Sequence, residues 1–408
     1  ADITVLEIGG TVGEYQNAIF LEAARLLKIH EPDNVMFVMV SYLPVPSKLG
    51  EMKTKLTQNA IRQLNSYGIQ PDMIIARSEA SIDQKRKEKI ALATGVPSQN
   101  IIAAPDIESI YDVPINFERD GLSQRILDHF KLKSRKKDMM AWRKFVSKTK
   151  STSREIRIAV IGKYFDTGDF ILSDAYVSDI EAVKFSAYWQ NVKPKLVWIN
   201  AKEYETGQRQ VDELKNFDGV IVPGGFGATG VEGMISAIRF ARENKIPYLG
   251  LCYGMQLAIV EYARDVLGLK GAHTTEVDKN TSDPVIDIME EQKNKIKNNK
   301  LGGTMRLGAY PAILGPKTLA YKAYRTNKIS ERHRHRFEIN PHYAESLSKA
   351  GMIFSGMSPD GRLCEIAELS QSVHPFFLAT QFHPEFKARP LSPHPLFTAF
   401  IKAIIRMK

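Results

Sequence analysis

Cysteine is nearly missing from this chain: 408 residues carry two, Cys252 and Cys364. Two thiols cannot build a disulfide scaffold, so a reducing, cytoplasmic compartment is expected. No apolar run reaches the roughly 18 residues a membrane helix needs, and no membrane role is expected. The N-terminus, "ADITVLEIGG", lacks both Met and the charged-then-apolar plan of a secretory leader. It reads as the middle of a strand, which points to a start inside a longer protein. A broad nucleic-acid surface is also lacking, despite a net charge of +10. Lys131 to Arg154, "KLKSRKKDMMAWRKFVSKTKSTSR", holds ten Lys or Arg against one Asp and so carries +9 of that charge. Binding to DNA or RNA needs basic side chains across a folded face, with aromatics for single strands. Neither is visible, and no nucleic-acid partner is expected. The segment reads as a solvated basic linker over 136–154, with contact to an acidic partner as the alternative.

What is present is a repeating plan of short apolar run, turn and amphipathic helix. At 408 residues the chain exceeds one hydrophobic core, so two domains are expected. "ITVLEI", "NVMFVMVSYL", "DMIIAR" and "NIIAAP" precede the basic stretch; "IRIAVIGKY", "PKLVWIN", "DGVIVPGG", "IPYLGL" and "PFFLATQF" follow it. Continuous β-branched runs between helices predict α/β domains with mainly parallel sheets buried on both faces, over 1–135 and 155–408. Ligands of such sheets gather at the carboxyl ends of the strands. Gln292 to Lys300, "QKNKIKNNK", reads as a charged surface loop.

One cysteine falls at such an end. In "IPYLGLCYGMQLAIVEYA" a buried strand over Ile246 to Leu251 meets a helix over Met255 to Ala263, with Cys252 on the sharp turn between Gly250 and Gly254. This is the plan of a nucleophile elbow, where glycines permit a strained turn and keep side chains clear of the reactive atom. A lone Cys is more often a buried structural residue, and Cys364 in "GRLCEIAEL" is read that way. The glycine spacing reverses that for Cys252, whose thiolate a helix N-terminus would stabilise. "ATQFHPEF" supplies His383 and Glu385, whose i, i+2 spacing in an extended segment puts both side chains on one face. The glutamate would fix the imidazole tautomer, leaving the other nitrogen for Cys252. "VIVPGGFGATG" sets Pro223, Gly224, Gly225, Phe226 and Gly227 at another strand end, where backbone N–H groups would meet an oxyanion. A phosphate-binding turn is the alternative for that loop, though it lacks the Lys-Ser/Thr signature.

"PGGFG", "G-x-C-x-GMQ" and "QFHPEF" together resemble a class I glutamine amidotransferase domain, which releases ammonia through a Cys-His-Glu triad. "GAHTTEV", "GGTMRLGAYP" and "ERHRHRFEIN" resemble, more narrowly, the glutaminase domain of the CTP synthase family. The resemblance implies that Gly225, Tyr253, Gly254, Met255, Gln256, Glu276 and Arg336 hold glutamine. An Arg fork suits its α-carboxylate and a Glu its α-ammonium. A basic nucleic-acid patch is the alternative for "RHRHR".

In the first half, "VLEIGGTVGEYQNAIFLEAARLL" sets an acid, a glycine-rich turn and a helix in order. "GEMKTKLTQNAIRQL" offers lysines at a helix start, a natural triphosphate clamp. With "KRKEKIALATGVP" and "AAPDIESIYDVP", these resemble the amidoligase half of the same family, a P-loop, dethiobiotin-synthase-like fold. That implies Glu7 as a Mg²⁺ ligand, and Lys53, Thr54, Lys55, Leu56, Thr57, Gln58 and Lys89 as contacts of the pyrimidine nucleotide. Pro105, Asp106 and Ile107 would border the ATP adenine. Where the family has Asp-Ile-Glu-Ser this chain has Glu14, Tyr15, Gln16 and Asn17, so binding of the CTP product is expected to be weakened at Gln16. Leu56 replaces a usual Pro, and Tyr253 a usual Leu. The family's phosphate-binding loop and second Mg²⁺ aspartate belong to an N-terminal region that does not appear in this sequence.

The resemblance implies a glutamine-hydrolysing ligase. ATP activates the UTP uracil at O4 and ammonia from glutamine displaces the phosphate, giving CTP, with GTP as allosteric activator and CTP as feedback inhibitor. A homotetramer that stacks into filaments is implied as well. Two alternatives stand beside it: another two-domain amidoligase, such as a cobyrinic or cobyric acid amidating enzyme, and a non-catalytic regulatory or filament-forming protein.

Overall fold

A computed structural model describes residues 2–47, 50–134, 138–163, 166–167, 170–171, 176–288 and 305–408. The stretch 292–300, expected as a charged loop, lies outside these. The chain divides into two compact units, Ala1–Val146 and Ser147–Lys408.

In the first unit, β1 (Val38–Tyr42), β2 (Met73–Ser78) and β3 (Ile101–Pro105) pair in parallel in that order. Parallel neighbours need a crossover, supplied here by α2 (Lys55–Ser66) and α3 (Gln84–Thr94), while α1 (Ala18–His30) precedes β1. The Asp83 side chain caps α3 by accepting from the Arg86 N–H. Leu43, Ile61, Ile74, Ile90 and Ile101, one apolar stripe from each element, close a fully buried core. The helices α4 (Val113–Arg119) and α5 (Leu122–His129) follow β3.

Two expectations fail here. "ITVLEI" is not a strand: residues 2–9 have no regular structure, and Val5 and Leu6 are 89% and 81% exposed. A strand needs a ladder, and these residues pair with none of β1, β2 or β3. Nor is β1 buried on both faces, since Val38, Val40 and Tyr42 alternate outward into solvent. Among the described residues only one layer covers that strand.

The basic stretch is not a solvated linker along its length. It forms α6 (Met140–Ser151), with Phe145 and Val146 buried. Trp142 and Phe145, at i and i+3, share a face. The Trp142 indole N–H donates to the Tyr111 carbonyl at 2.9 Å, and Phe145 meets the Tyr111 ring edge-on at 5.1 Å. Charge count alone hid an amphipathic helix.

The second unit is built on a nine-stranded sheet. Its strands are β4 (Glu155–Gly162), β7 (Lys193–Asn200), β8 (Gly219–Val222), β9 (Tyr248–Leu251), β12 (Arg306–Leu314), β13 (Lys328–His335), β15 (Met352–Met357), β16 (Cys364–Leu369) and β17 (Phe377–Thr380). The order is β13-β12-β15-β16-β17-β9-β8-β4-β7. A short hairpin, β5 (Asp166–Thr167) and β6 (Phe170–Ile171), stands apart, as does a three-stranded sheet of β10 (Ala272–Thr274), β11 (Asp283–Ile288) and β14 (Phe337–Ile339). The strands β7, β4, β8, β9 and β17 are mutually parallel, and four antiparallel strands extend them. Both kinds follow from sequence pattern. β8, β9 and β17 are buried at every residue, as parallel strands under helices must be, whereas β13 alternates strictly. The helices α7 (Val177–Trp189), α8 (Ala201–Glu205), α9 (Val231–Glu243) and α10 (Tyr253–Asp265) belong to the parallel part. Met234, Ile238, Leu257 and Val260 pack with Val220 and Val222 in its core.

Candidate active site

Because β4, β8, β9 and β17 run the same way, the residues after their last positions collect along one edge of the sheet. They are Lys163, Pro223–Gly227, Cys252 and Gln381–Glu385.

Cys252 stands between β9 and α10 with φ 50° and ψ −95°, a left-handed backbone conformation that non-glycine residues rarely adopt. The turn is held from several sides. The Cys252 N–H donates to the Thr380 carbonyl at 2.6 Å, and its own carbonyl accepts from the N–H groups of Met255 and Gln256. The Tyr248 hydroxyl donates to the Gly254 carbonyl at 2.9 Å. A Cβ at Gly254 would collide with the Val222 carbonyl, so α10 can lie this close to β8 only with glycine there. The thiol is 5% exposed. Its sulfur accepts from the Gln381 amide at 3.7 Å and lies 4.0 Å from the Arg334 carbonyl of β13.

His383 and Glu385 do not lie in an extended segment. Pro384–Lys387 is a 3₁₀ turn, and its tight rise brings Glu385 Oε1 to 2.5 Å from His383 Nδ1. Nδ1–H therefore donates to the carboxylate, and Nε2 is the nitrogen left for proton transfer. The imidazole stacks on Phe386 at 4.9 Å. Nε2 is buried with no hydrogen bond of ordinary geometry, although the ring and the thiol act strongly on each other. Nucleophile–base contacts are commonly long before substrate aligns them. Burial alone would depress the imidazole; Cys252 and Glu385 overcome that and hold its pKa well above the ordinary range. Gly224 completes the cleft, since a Cβ there would sit 2.8 Å from His383 Cε1.

The glycine loop after β8 is pinned at Gly227. Its N–H donates to Glu276 Oε1 at 2.9 Å, while its carbonyl accepts from Lys163 Nζ at 2.6 Å and from the Tyr253 hydroxyl at 2.8 Å. Lys163 lies 4.5 Å above the Tyr253 ring; burial draws its pKa down to about 8 against the opposing pull of Glu276 and Glu205. Gly225 faces the same two side chains. Gly225, Tyr253 and Glu276 thus come together. Gly254, Met255 and Gln256 lie beneath them, with Met255 fully buried and Gln256 donating to the Phe337 carbonyl at 2.9 Å. Arg336 is exposed, two residues beyond Arg334.

The "ERHRHRFE" string is not a basic surface patch. Glu331, His333, His335 and Glu338 point inward, and only the arginines between them face out. Arg306 ties this interior together, at 2.7 Å from Glu365 and 3.4 Å from Glu338. Burial, and then Arg306, push His333 down to about 2 and His335 to about 3, so both rings are neutral. Cys364 lies in β16 nearby, its thiol pushed up to about 12 by burial and by Glu338 and Glu365.

In the first unit the expected contacts are spread over the N-terminal stretch, the start of α2, the middle of α3 and the end of β3. Lys53 Nζ pairs with Glu51 at 2.7 Å, and Arg86 and Lys89 bear on the same carboxylate, so two of the three predicted lysines gather around Glu51. Lys55 and Leu56 are exposed at the start of α2, whereas Thr54, Thr57 and Gln58 turn inward. The Thr57 hydroxyl bonds Ser41 at 2.8 Å and Gln58 donates to Thr54. Pro105 ends β3; exposed Asp106 follows it, its N–H donating to the Ser78 carbonyl, and half-buried Ile107 comes next. Tyr15 is exposed; Glu14 accepts from the Thr11 N–H and from the Gln16 amide, each at 2.9 Å. Glu7 is exposed in the irregular N-terminal stretch, and no group of three His, Cys, Asp or Glu among the described residues could hold a metal.

Three polar groups of the second unit escaped sequence reasoning: Lys163, Gln381 and Asp179. The first two directly follow apolar strands, which is a usable signal. Asp179 in "YVSDIEAVKF" looks like an ordinary acid in a first helical turn.

A thiol on a strained strand-to-helix turn, next to an imidazole already committed to a carboxylate, is the arrangement of a cysteine-dependent acyl-transfer site. In agreement, residues 171–403 match the family model described as glutamine amidotransferase class-I. Residues 1–132 match the model for the CTP synthase N-terminus. A CTP synthase of Caldanaerobacter subterraneus is 48% identical over 409 residues, covering 100% of this chain and 74% of the relative. One from Pyrococcus furiosus is 48% identical over 404 residues, or 98% of this chain and 73% of the relative. The solved glutaminase domain of Trypanosoma brucei CTPS, with bound acivicin, matches with TM-score 0.56 at 35% identity, covering 62% of this chain and 94% of that one. The chain belongs to the CTP synthase family, the glutamine-hydrolysing ligases that make CTP. No helix among the described residues is long and apolar enough to cross a membrane.

Proposed function

We propose that Cys252 Sγ attacks the carboxamide carbon of glutamine, with His383 Nε2 taking the thiol proton and returning it to the departing ammonia. Glu385 keeps Nδ1 protonated and steadies the imidazolium. The C–N bond breaks as the thioester forms, and water, activated by the same imidazole, releases glutamate. Backbone N–H groups of the Gly224–Gly225 turn and of Tyr253 receive the oxyanion. Glu276 and Arg336 take the substrate's α-ammonium and α-carboxylate. The buried thiol–imidazole–carboxylate set at the ends of β9 and β17 carries this reading.

Ammonia then serves the first unit, where ATP activates UTP at O4 and ammonia displaces the phosphate to give CTP. Lys53, Lys55 and Lys89 offer charge to the nucleotide phosphates, and Pro105, Asp106 and Ile107 border the adenine. Family membership supports GTP as activator, CTP as feedback inhibitor, a cytoplasmic location and a homotetramer that stacks into filaments. Amide-labelled glutamine given with UTP and ATP should deliver its label to the exocyclic amine of CTP. Glutamate release with no label in CTP would break the coupling.

A further inference from the structure

The carboxylate of Glu385 uses one oxygen on His383; the other, Oε2, is buried with no hydrogen-bond partner. The helix α7 packs on the Pro384–Lys387 turn and brings Asp179 toward it. Asp179 is 7% exposed, and its Oδ1 is likewise buried without a partner. Among the described residues, these are the only unpartnered buried oxygens on the two packed elements. Two bare carboxylates kept on packed elements out of water would repel, whereas an acid and a carboxylate within reach form a charge-assisted hydrogen bond.

The geometry points to Asp179 as a positioning residue of the glutaminase group, its carboxyl hydroxyl donating to Oε2 of Glu385. The charged groups acting on Asp179 are Glu385 and His383. Burial, and then Glu385, hold it protonated well above the ordinary carboxylate range, against the opposing pull of His383 and of its own N–H. One proton is shared by the two carboxyls and stays on Asp179. Glu385 then has both oxygens engaged, one by His383 and one by Asp179. Its proton affinity falls, and the Nδ1 proton stays on the ring while Nε2 exchanges protons with the thiol. The set becomes a relay of four residues, Cys252, His383, Glu385 and Asp179, of which the last touches no substrate.

This rests on the triad reading, and the test keeps the two apart. Glutamine hydrolysis by the full chain is measured against pH for Asp179→Val, Asp179→Asn and Cys252→Ala. Removing the donor in Asp179→Val should lower kcat about tenfold with KM for glutamine unchanged. Asp179→Asn keeps an N–H donor and should restore activity to within about threefold of the parent. It should also lose the alkaline fall in kcat that the parent shows as Asp179 surrenders its proton. Equal damage from Val and Asn, or unchanged kcat in both, would overturn the assignment. If Asp179→Val fails to fold by thermal melting, the Asn profile decides: a lost alkaline limb supports the assignment, and an unchanged profile overturns it. Residual hydrolysis in Cys252→Ala breaks the triad reading itself; an inactive Cys252→Ala beside parent-like Asp179 variants breaks only the role of Asp179.

Discussion

In the second unit Cys252, His383 and Glu385 are each less than a tenth exposed; the first two are bonded to neighbouring strands and the third to His383. In the first, Lys53 and Lys89 stand in solvent around one surface carboxylate, and Glu7 lies on an irregular exposed stretch. The contrast fits the chemistry proposed for each. Moving a proton between sulfur and nitrogen needs a dry, fixed geometry, because burial is what perturbs the groups. The phosphate binding proposed for the first unit needs only charge within reach, which lysines supply. Damage in the second unit should therefore be steep and chemical, and damage in the first shallow and sensitive to salt.

The largest effect should come from Cys252→Ala, which should abolish glutamine-dependent CTP formation and leave ammonia-dependent formation intact. Equal loss of both would erase the division between the units. His383→Ala should lower glutaminase kcat by about 10³-fold or more, measured as glutamate release under saturating glutamine. Labelling by a glutamine-mimicking electrophile should discriminate nearly as widely. With its thiol pushed up to about 12, Cys364 keeps on the order of one part in 10⁴ as thiolate at pH 8, and peptide mapping should find the adduct on Cys252 alone. Glu385→Gln should cost less than loss of the imidazole, because Phe386 still stacks on the ring; damage matching His383→Ala would mean the carboxylate does more than orient.

Smaller effects belong to the first unit. Gln16 donates its amide to Glu14, so the pair presents one negative charge where the family has two acids. A hydrogen bond to a charged group is worth about 1 kcal/mol more than to a neutral one, or several-fold in affinity. Gln16→Glu should therefore make CTP inhibition several-fold tighter and leave glutamine hydrolysis unchanged. Superimposable inhibition curves would show that Gln16 does not meet the product.

Much of the second unit was legible because its signals are local. Gly250, Cys252 and Gly254 are neighbours in sequence, and the run before them is buried at each residue of β9. The alternation of "ERHRHRFE" was equally local, yet a basic surface remained open, because facing inward depends on Arg306 and Glu365 arriving from β12 and β16. Asp179 was invisible for the same reason: only folding brings α7 to the 3₁₀ turn. In "ITVLEI" the error ran the other way. Apolar content reads as a strand, but a strand is a property of two segments, and β1, β2 and β3 pair with one another only.

Cys252 keeps φ at 50°, a conformation that costs a non-glycine residue of order 1–3 kcal/mol. Glycine at that position would adopt the same backbone with little strain and lose all chemistry. A library of this chain screened for survival of heat alone should therefore drift toward Cys252→Gly, so endurance would rise as turnover vanishes. Only a screen that also demands glutamine consumption would keep the thiol.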